Sequence, residues 1–288
     1  MNGKQILITG GTNGIGLAAA EALVALGANV AMIGRNETRT RIAAARVKAA
    51  RRRGATVDTF IADLSSQAAV RKLAGEVLGR YPRLDVLINN AGGMYARRQV
   101  TEDGIELTWA VNHLAPFLLT ALLLDRLKES APARIITTAS EAHKGAHVPF
   151  EGINAERSYR SFGRYGETKL ANILFMAELA RRLEGTSVTA TCFHPGLVAS
   201  GFNRNNGLLM DLGMTILKPV SRSPEKGAET LVWLATSAEA ANASGGYFFD
   251  KEQRPPSPEA QDTKTARRLW EVSEAQCASR QTSAETLS

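Results

Sequence analysis

One stretch near the amino terminus decides the fold: residues 5–16 read QILITGGTNGIG. The apolar run at residues 6–8 predicts a buried strand, and the glycine-rich turn after it opens directly into a helix. At such a junction the N–H groups of the helix amino terminus can meet a pyrophosphate, and glycine lets the backbone approach it. A glycine turn can also be purely structural, but this context favours dinucleotide binding. The candidate cofactor-binding residues here are Gly10, Thr12, Asn13, Gly14 and Ile15.

Apolar, β-rich runs alternate with segments of helical period along the rest of the chain, which is typical of a parallel sheet covered by helices. Seven strands are predicted, near residues 5–9, 29–33, 56–61, 85–88, 133–138, 187–193 and 246–249. Six helices are predicted, at residues 14–26, 37–53, 67–81, 104–130, 162–183 and 224–236. The expected fold class is therefore α/β, a Rossmann-type doubly wound, seven-stranded parallel sheet with helices on both faces.

The chain has no linker rich in proline, glycine or serine and no internal repeat, so a single domain over residues 1–280 is expected. A polar tail at residues 281–288 follows it. Two long connections interrupt the alternation, at residues 143–157 and 197–220. Long connections at the carboxyl ends of parallel strands commonly contact ligands, so both are expected to shape a substrate pocket.

Composition excludes several classes of protein. With 44% hydrophobic and 22% charged residues, the chain is an ordinary globular one. The net charge of +7 is scattered, with a dense basic stretch only at residues 39–53, so no nucleic-acid partner is expected. The two cysteines, Cys192 and Cys277, indicate a reducing, cytoplasmic location. No apolar run approaches the roughly 18 residues of a spanning helix, and the histidines are not grouped with other metal ligands, so neither an integral membrane segment nor a metal site is expected.

The end of the second predicted strand bears on the choice of cofactor. A carboxylate there would bind the adenosine ribose and repel a 2′-phosphate, but this chain reads Ile33-Gly34-Arg35-Asn36. A guanidinium can bind a phosphate in bidentate fashion, so Arg35, with Asn36 beside it, predicts that NADP(H) is preferred over NAD(H). The alternative is that Arg35 only faces solvent. Arg39 or Arg41 could add positive charge, although a solvated helix face explains them as well.

Further motifs carry a family resemblance. Asp63-Leu64 follows the third predicted strand, and Asn89-Asn90-Ala91-Gly92 follows the fourth. Tyr165 and Lys169 are four residues apart in a helical pattern, which places both side chains on one helix face. Together with the T-G-x-x-x-G-I-G spacing of the first turn, these motifs resemble the short-chain dehydrogenase/reductase family. The resemblance implies cofactor contacts from Asp63, Leu64, Asn90, Ala91 and Gly92, as well as from Tyr165 and Lys169.

The resemblance also implies a catalytic tetrad of Asn112, Ser140, Tyr165 and Lys169. Tyr165 would transfer the proton, with its pKa lowered by the Lys169 ammonium; Ser140 would bind the substrate oxygen, and Asn112 would hold a relay water. The segment at residues 194–200, HPGLVAS, resembles the family's P-G segment. It implies nicotinamide contacts from Pro195, Gly196, Val198 and Ser200.

Longer matches, such as Thr101-Glu102-Asp103-Gly104, point to the retinol-dehydrogenase-like branch, which includes relatives of light-dependent protochlorophyllide reductase. The branch implies an NADP(H)-dependent exchange of carbonyl and alcohol on a lipophilic small molecule. Met94 and Tyr95 are expected to form one wall of the substrate pocket. Leu209 and Met210 are expected to lie in a lid over the substrate; the alternative is that their segment is a helix packed on the core. The helices before strands five and six resemble those through which relatives form homodimers or homotetramers. A non-catalytic dinucleotide sensor of the same fold is the alternative function.

Overall fold

The computed structural model describes residues 1–198 and 221–278. Within these residues the sheet has eight strands in the order β3-β2-β1-β4-β5-β6-β7-β8. The strands are β1 (Gln5–Thr9), β2 (Asn29–Gly34), β3 (Val57–Ile61), β4 (Val86–Asn89), β5 (Ala133–Thr138), β6 (Val188–Phe193), β7 (Tyr247–Phe249) and β8 (Glu252–Arg254). Strands β1 to β7 are parallel, as predicted, and β8 pairs antiparallel with β7.

The strand order reverses at β1. Ile6 pairs with Val30 of β2 on one side and with Val86 of β4 on the other, and every residue of β1 is buried. From β1 the chain continues outward to β2 and β3, and from β4 it continues outward in the other direction to β5 and β6. A crevice therefore opens at the carboxyl ends of β1 and β4, which is where open α/β sheets bind ligands.

Helices cover both faces of the sheet. They are α1 (Gly14–Ala25), α2 (Glu37–Ala50), α3 (Gln67–Arg80), α4 (Leu107–Glu129), α5 (Ser161–Arg182), α6 (Pro224–Thr236) and α7 (Thr263–Ala278). Apolar residues of α1, α2 and α6 pack on one face, and those of α3, α4, α5 and α7 pack on the other. The expected fold class is therefore confirmed.

Some details of the predicted elements were wrong. The strand β8 was not predicted, because its residues Glu252–Arg254 are all exposed and polar. The helix predicted from residue 104 begins at Leu107, since Gly104 adopts φ +72° in a turn and Glu106 caps the helix by accepting from the N–H groups of Thr108 and Trp109. The helix predicted to end at residue 53 ends at Ala50, because Arg51 is extended.

Helix α4 contains a π-helical segment, Ala110–Leu114, which includes Asn112. By length and composition α4 could cross a membrane, although the sequence analysis expected no membrane-spanning segment. Most of its apolar surface is buried in the protein, however, as it is in the core helices of soluble proteins.

Helix α7 was also not predicted, and it packs across α4 and α5. Trp270 meets Phe117 of α4 and Phe175 of α5 at ring-centroid distances of 5.0 and 5.9 Å. The Ser273 hydroxyl lies 2.8 Å from Nε2 of the fully buried His113. The chain's own α7 thus covers part of the helix pair that the sequence suggested as a subunit contact, and the oligomeric state remains a prediction.

Candidate active site

A cleft of about 1240 Å³ lies at the carboxyl ends of the central strands. That volume is large for a single small-molecule site. Most residues predicted for cofactor, substrate or catalysis line it: Gly10, Thr12, Asn13, Gly14, Ile15, Arg35, Asp63, Leu64, Asn90, Ala91, Gly92, Met94, Tyr95, Ser140, Tyr165, Lys169, Pro195, Gly196 and Val198. Asn36 and Asn112 do not line it, and Ser200, Leu209 and Met210 lie outside the described residues.

The glycine turn needs its glycines because backbones meet there. Gly10 adopts φ +67°, and a Cβ on it would lie 2.9 Å from Cα of Ala91. A Cβ on Gly16 would collide with the Gly10 carbonyl oxygen. Asn90 ties the turn to β4, donating from Nδ2 to the carbonyl oxygens of Thr9 (3.1 Å) and Gly10 (3.3 Å). The amide of Asn90 is therefore a structural support for the turn.

The amino terminus of α1 suits a phosphate. Asn13 is its N-cap residue but makes no side-chain capping hydrogen bond, and the first turn holds no acidic residue. The first N–H groups of a helix lack intrahelical partners and carry partial positive charge. Helices α2, α3 and α6, by contrast, are capped by Asn36, Ser66 and Ser223. The residues present thus fit the pyrophosphate of a dinucleotide.

Arg35 is exposed at the end of β2 and lines the cleft, as do Arg39 and Arg46 of α2. Arg46 is paired with Glu21 at 3.0 Å. Asn36 instead accepts a hydrogen bond from the Arg39 N–H at 3.0 Å, which makes it the N-cap of α2. An asparagine directly before a helix is a capping signal that the sequence analysis overlooked.

Asp63, predicted to contact the cofactor, lies in a turn of its own. Its Oδ1 accepts hydrogen bonds from the Ser65 N–H at 3.0 Å and from the Ser65 hydroxyl at 2.8 Å. The residue lines the cleft and is exposed, and its carboxylate is held by these two hydrogen bonds.

Ser140, Tyr165 and Lys169 meet at the inner end of the cleft. The Tyr165 hydroxyl is hydrogen-bonded to Ser140, and Nζ of Lys169 lies 5.4 Å from the centroid of the Tyr165 ring. Nζ of Lys169 also donates to the Thr138 carbonyl oxygen at 2.8 Å. Helical spacing puts both α5 side chains on the face that closes the cleft, as the sequence predicted.

The electrostatics of this group differ from the expectation that Lys169 lowers the pKa of Tyr165. Burial raises the pKa of Tyr165 to about 12, and the Ser140 hydrogen bond opposes this only in part. Burial also lowers the pKa of Lys169 to about 8, because an ammonium loses hydration inside the protein. At neutral pH Tyr165 therefore keeps its proton, which is the form that a proton donor needs.

Asn112 sits behind the cleft wall. Its Oδ1 accepts from the Gly93 N–H at 2.8 Å, and its Nδ2 donates to the Gly93 carbonyl oxygen at 2.8 Å and to Thr168 Oγ1 at 3.1 Å. Both amide protons are thus used, and the side chain joins α4 to the loop after β4 and to α5. The expected water relay through Asn112 stays a prediction, whereas its bracing of Gly93 is visible.

The turn after β6 carries Pro195, Gly196 and Val198. Gly196 adopts φ +78° and donates its N–H to Nδ1 of His194 at 3.2 Å. Val198 is buried, and a Cβ on Gly227 of α6 would lie 2.7 Å from its Cγ2. This packing holds the predicted nicotinamide-contacting backbone at the cleft.

Several lining residues were not predicted. Phe162, which is 67% exposed, lines the cleft and was not predicted. Leu197, which is 47% exposed, also lines it and begins the connection at residues 197–220 that was expected to shape the pocket, whereas the connection at residues 143–157 does not line it. Glu141 and His194 also line it. Glu141 directly follows Ser140, so its position was available from the sequence, while Phe162 carried no signal beyond being an apolar residue three positions before Tyr165.

No group of three or more His, Cys, Asp or Glu side chains within residues 1–198 and 221–278 could hold a metal ion.

Comparison with known proteins agrees with this geometry. The family model described as short chain dehydrogenase matches residues 4–208. Human retinol dehydrogenase 14 is 42% identical over 95% of this chain and 86% of its own length. A protein of Streptomyces sp. (strain C5) named for daunorubicin C-13 ketoreductase activity is 41% identical over 95% of this chain and 92% of its own.

A solved structure extends the comparison to the fold. A short-chain dehydrogenase from Burkholderia cenocepacia J2315, crystallised in complex with NADP, superposes with a TM-score of 0.68 at 26% identity. The match covers 86% of this chain and 96% of that one.

Proposed function

The chain belongs to the short-chain dehydrogenase family, in its retinol-dehydrogenase-like part, and on that premise we propose that it is an NADP(H)-dependent oxidoreductase interconverting a carbonyl and an alcohol on a lipophilic small molecule. The observation that carries the proposal is the meeting of Ser140, Tyr165 and Lys169 in the same cleft as the glycine turn.

The cofactor would lie along the cleft. The uncapped amino terminus of α1 would hold its pyrophosphate, and Arg35 would bind the 2′-phosphate of NADP(H). Pro195, Gly196 and Val198 would border the nicotinamide, which supplies or accepts a hydride when bound. The Burkholderia relative with NADP bound supports this choice of cofactor.

Side chains of the protein would supply the proton that the reaction needs. Reduction of a carbonyl leaves negative charge on the oxygen, which needs a proton donor. Tyr165 is protonated at neutral pH and hydrogen-bonded to Ser140, so the two hydroxyls would converge on the substrate oxygen. Lys169, with its pKa lowered to about 8 by burial, would still be mostly protonated at pH 7, with its Nζ 5.4 Å from the centroid of the Tyr165 ring.

The surroundings favour an apolar substrate. Met94, Tyr95, Phe162 and Leu197 line the cleft with apolar surface, and two relatives are named for retinol and for daunorubicin. A cytoplasmic location is part of the proposal, supported by Cys192 and Cys277, which are both free and buried.

The test is a cofactor-consumption screen. We expect the purified protein to oxidise NADPH in the presence of long aldehydes, retinal or polycyclic ketones. Tyr165→Phe should abolish that oxidation, and Tyr81→Phe, which changes a tyrosine remote from the cleft, should leave it intact. NADPH binding without turnover on any carbonyl or alcohol would instead favour the dinucleotide sensor.

A further inference from the structure

We propose that His143 is a positioning residue for Ser140, and that its neutral Nδ1–H tautomer holds the Ser140 peptide in place; the inference rests on the proposed function. His143 is completely buried at the end of a short helical turn, Glu141–His143, that follows Ser140, and it does not line the cleft. Its Nδ1 lies 2.6 Å from the Ser140 carbonyl oxygen.

The tautomer follows from the hydrogen-bond partners. Nε2 of His143 accepts from the Ser257 N–H at 3.1 Å, and a backbone N–H can only donate. Nε2 must therefore carry a lone pair, and the ring proton must reside on Nδ1. Since the Ser140 carbonyl oxygen can only accept, Nδ1 donates to it.

This arrangement leaves Ser140 little freedom. Its carbonyl oxygen accepts from both the His143 ring and the His143 N–H (3.2 Å), and its Oγ accepts from the Ala142 N–H at 3.2 Å. The Ser140 hydroxyl proton can then be aimed at Tyr165 or at a substrate oxygen. A short shift of the Ser140 backbone would move that hydroxyl, and catalysis is sensitive to displacements of about 1 Å.

The residues that hold the His143 ring in place are distant from it in the sequence. Ser257 lies in the segment between β8 and α7, and Tyr247 of β7 meets the His143 ring edge-on with a centroid distance of 5.2 Å. The segment after the last strand thereby contacts the reaction centre through one imidazole.

Two substitutions separate the two hydrogen bonds of the ring. The amide of Asn reaches the place of Nδ1, so His143→Asn can keep the bond to Ser140 and loses the one to Ser257. The amide of Gln reaches the place of Nε2, so His143→Gln can keep the bond to Ser257 and loses the one to Ser140. Each variant loses one buried hydrogen bond, so the two melting temperatures should fall by similar amounts.

Turnover should distinguish them. We expect kcat with NADPH and a reducible ketone to be at least tenfold lower for His143→Gln than for His143→Asn, while the Kd for NADPH changes less than twofold in both. In a Ser140→Ala background the two variants should have equal residual kcat, because the group being positioned is gone.

A third variant keeps the histidine, should both others fail to fold. Ser257 has φ −61°, which proline can adopt, so Ser257→Pro removes the N–H donor together with the hydroxyl. Its kcat should be several-fold lower than that of Ser257→Ala, the matched control that loses only the hydroxyl. An active parent whose kcat is the same in His143→Asn and His143→Gln, or is the same in Ser257→Pro as in Ser257→Ala, overturns the positioning role. A parent that folds and binds NADPH but has no turnover overturns the proposed function, and this inference with it.

Discussion

Replacing Arg35 by alanine should remove most of the preference for NADPH over NADH. Arg35 stands at the carboxyl end of β2, lines the cleft and is exposed, and the residue before it, Gly34, contributes no carboxylate that would repel a phosphate. A charge-assisted hydrogen bond is worth about 1.5 to 3 kcal/mol, and the lower part of that range applies because solvent screens an exposed guanidinium. About 1.5 to 2 kcal/mol corresponds to roughly a 10- to 30-fold change in affinity.

The assay is a titration of each protein with NADPH and NADH at one fixed ionic strength, giving four dissociation constants for parent and variant. The Kd for NADPH should rise by about 10- to 30-fold in Arg35→Ala, while the Kd for NADH changes less than twofold. Arg41→Ala is the matched control, because Arg41 is exposed on α2 and does not line the cleft.

Two results would refute the reasoning. Equal affinities for NADPH and NADH in the parent would mean that Arg35 only faces solvent. An equal loss of NADPH affinity in Arg41→Ala would mean that the general positive charge of α2, and not a contact from Arg35, attracts the phosphate.

Three further predictions follow from the structure. Tyr165→Phe should lower kcat by about 10²-fold or more and leave the Kd for NADPH within twofold, since only the proton-transfer group is lost; normal turnover would place the chemistry elsewhere. Glu106→Gln should lower the free energy of unfolding, measured in urea, by about 3 to 5 kcal/mol, because Arg164 lies 2.6 Å from Glu106 and both are buried. The control Glu76→Gln, in an exposed pair with Lys72, should lower it by less than about 1 kcal/mol. Burial lowers the pKa of His194 to about 4, below its unfolded value near 6.5. Between pH 6.5 and pH 4 the unfolded state therefore binds more protons than the folded state, so the free energy of unfolding should fall as the pH drops through this range. His194→Gln should flatten the pH dependence of unfolding by up to about one proton, and curves of equal slope would contradict this.

The central sheet could be predicted because its physics is local and repetitive. A strand buried on both faces, such as β1, must be apolar at every position, and the glycine turn after it has few structural alternatives. The tetrad positions were implied by the family resemblance. Ser140, Tyr165 and Lys169 do meet in the cleft.

The structural features that the sequence analysis did not predict have separate physical reasons. Strand β8 has no apolar face, so its pairing with β7 left no pattern in the sequence. Asn112, which braces Gly93, lies in a π-helical segment that the helical pattern of the sequence did not indicate. Asn36 and α7 did carry signals, namely an N-cap residue and buried positions such as Leu269, Trp270, Ser273 and Cys277 at helical spacing.

The packing of α7 on α5 has a consequence for how the protein is made. Trp270 reaches Phe175 only after the ribosome has added roughly 100 further residues, which takes about 5 to 20 s at common rates of synthesis. During that interval the outer apolar face of the helix bearing Tyr165 and Lys169 is uncovered on the nascent chain. The sheet from β1 to β6 can assemble while α7 is still being translated. A chaperone that recognises apolar helices would be able to bind the exposed face of α5 during this time, before α7 covers it.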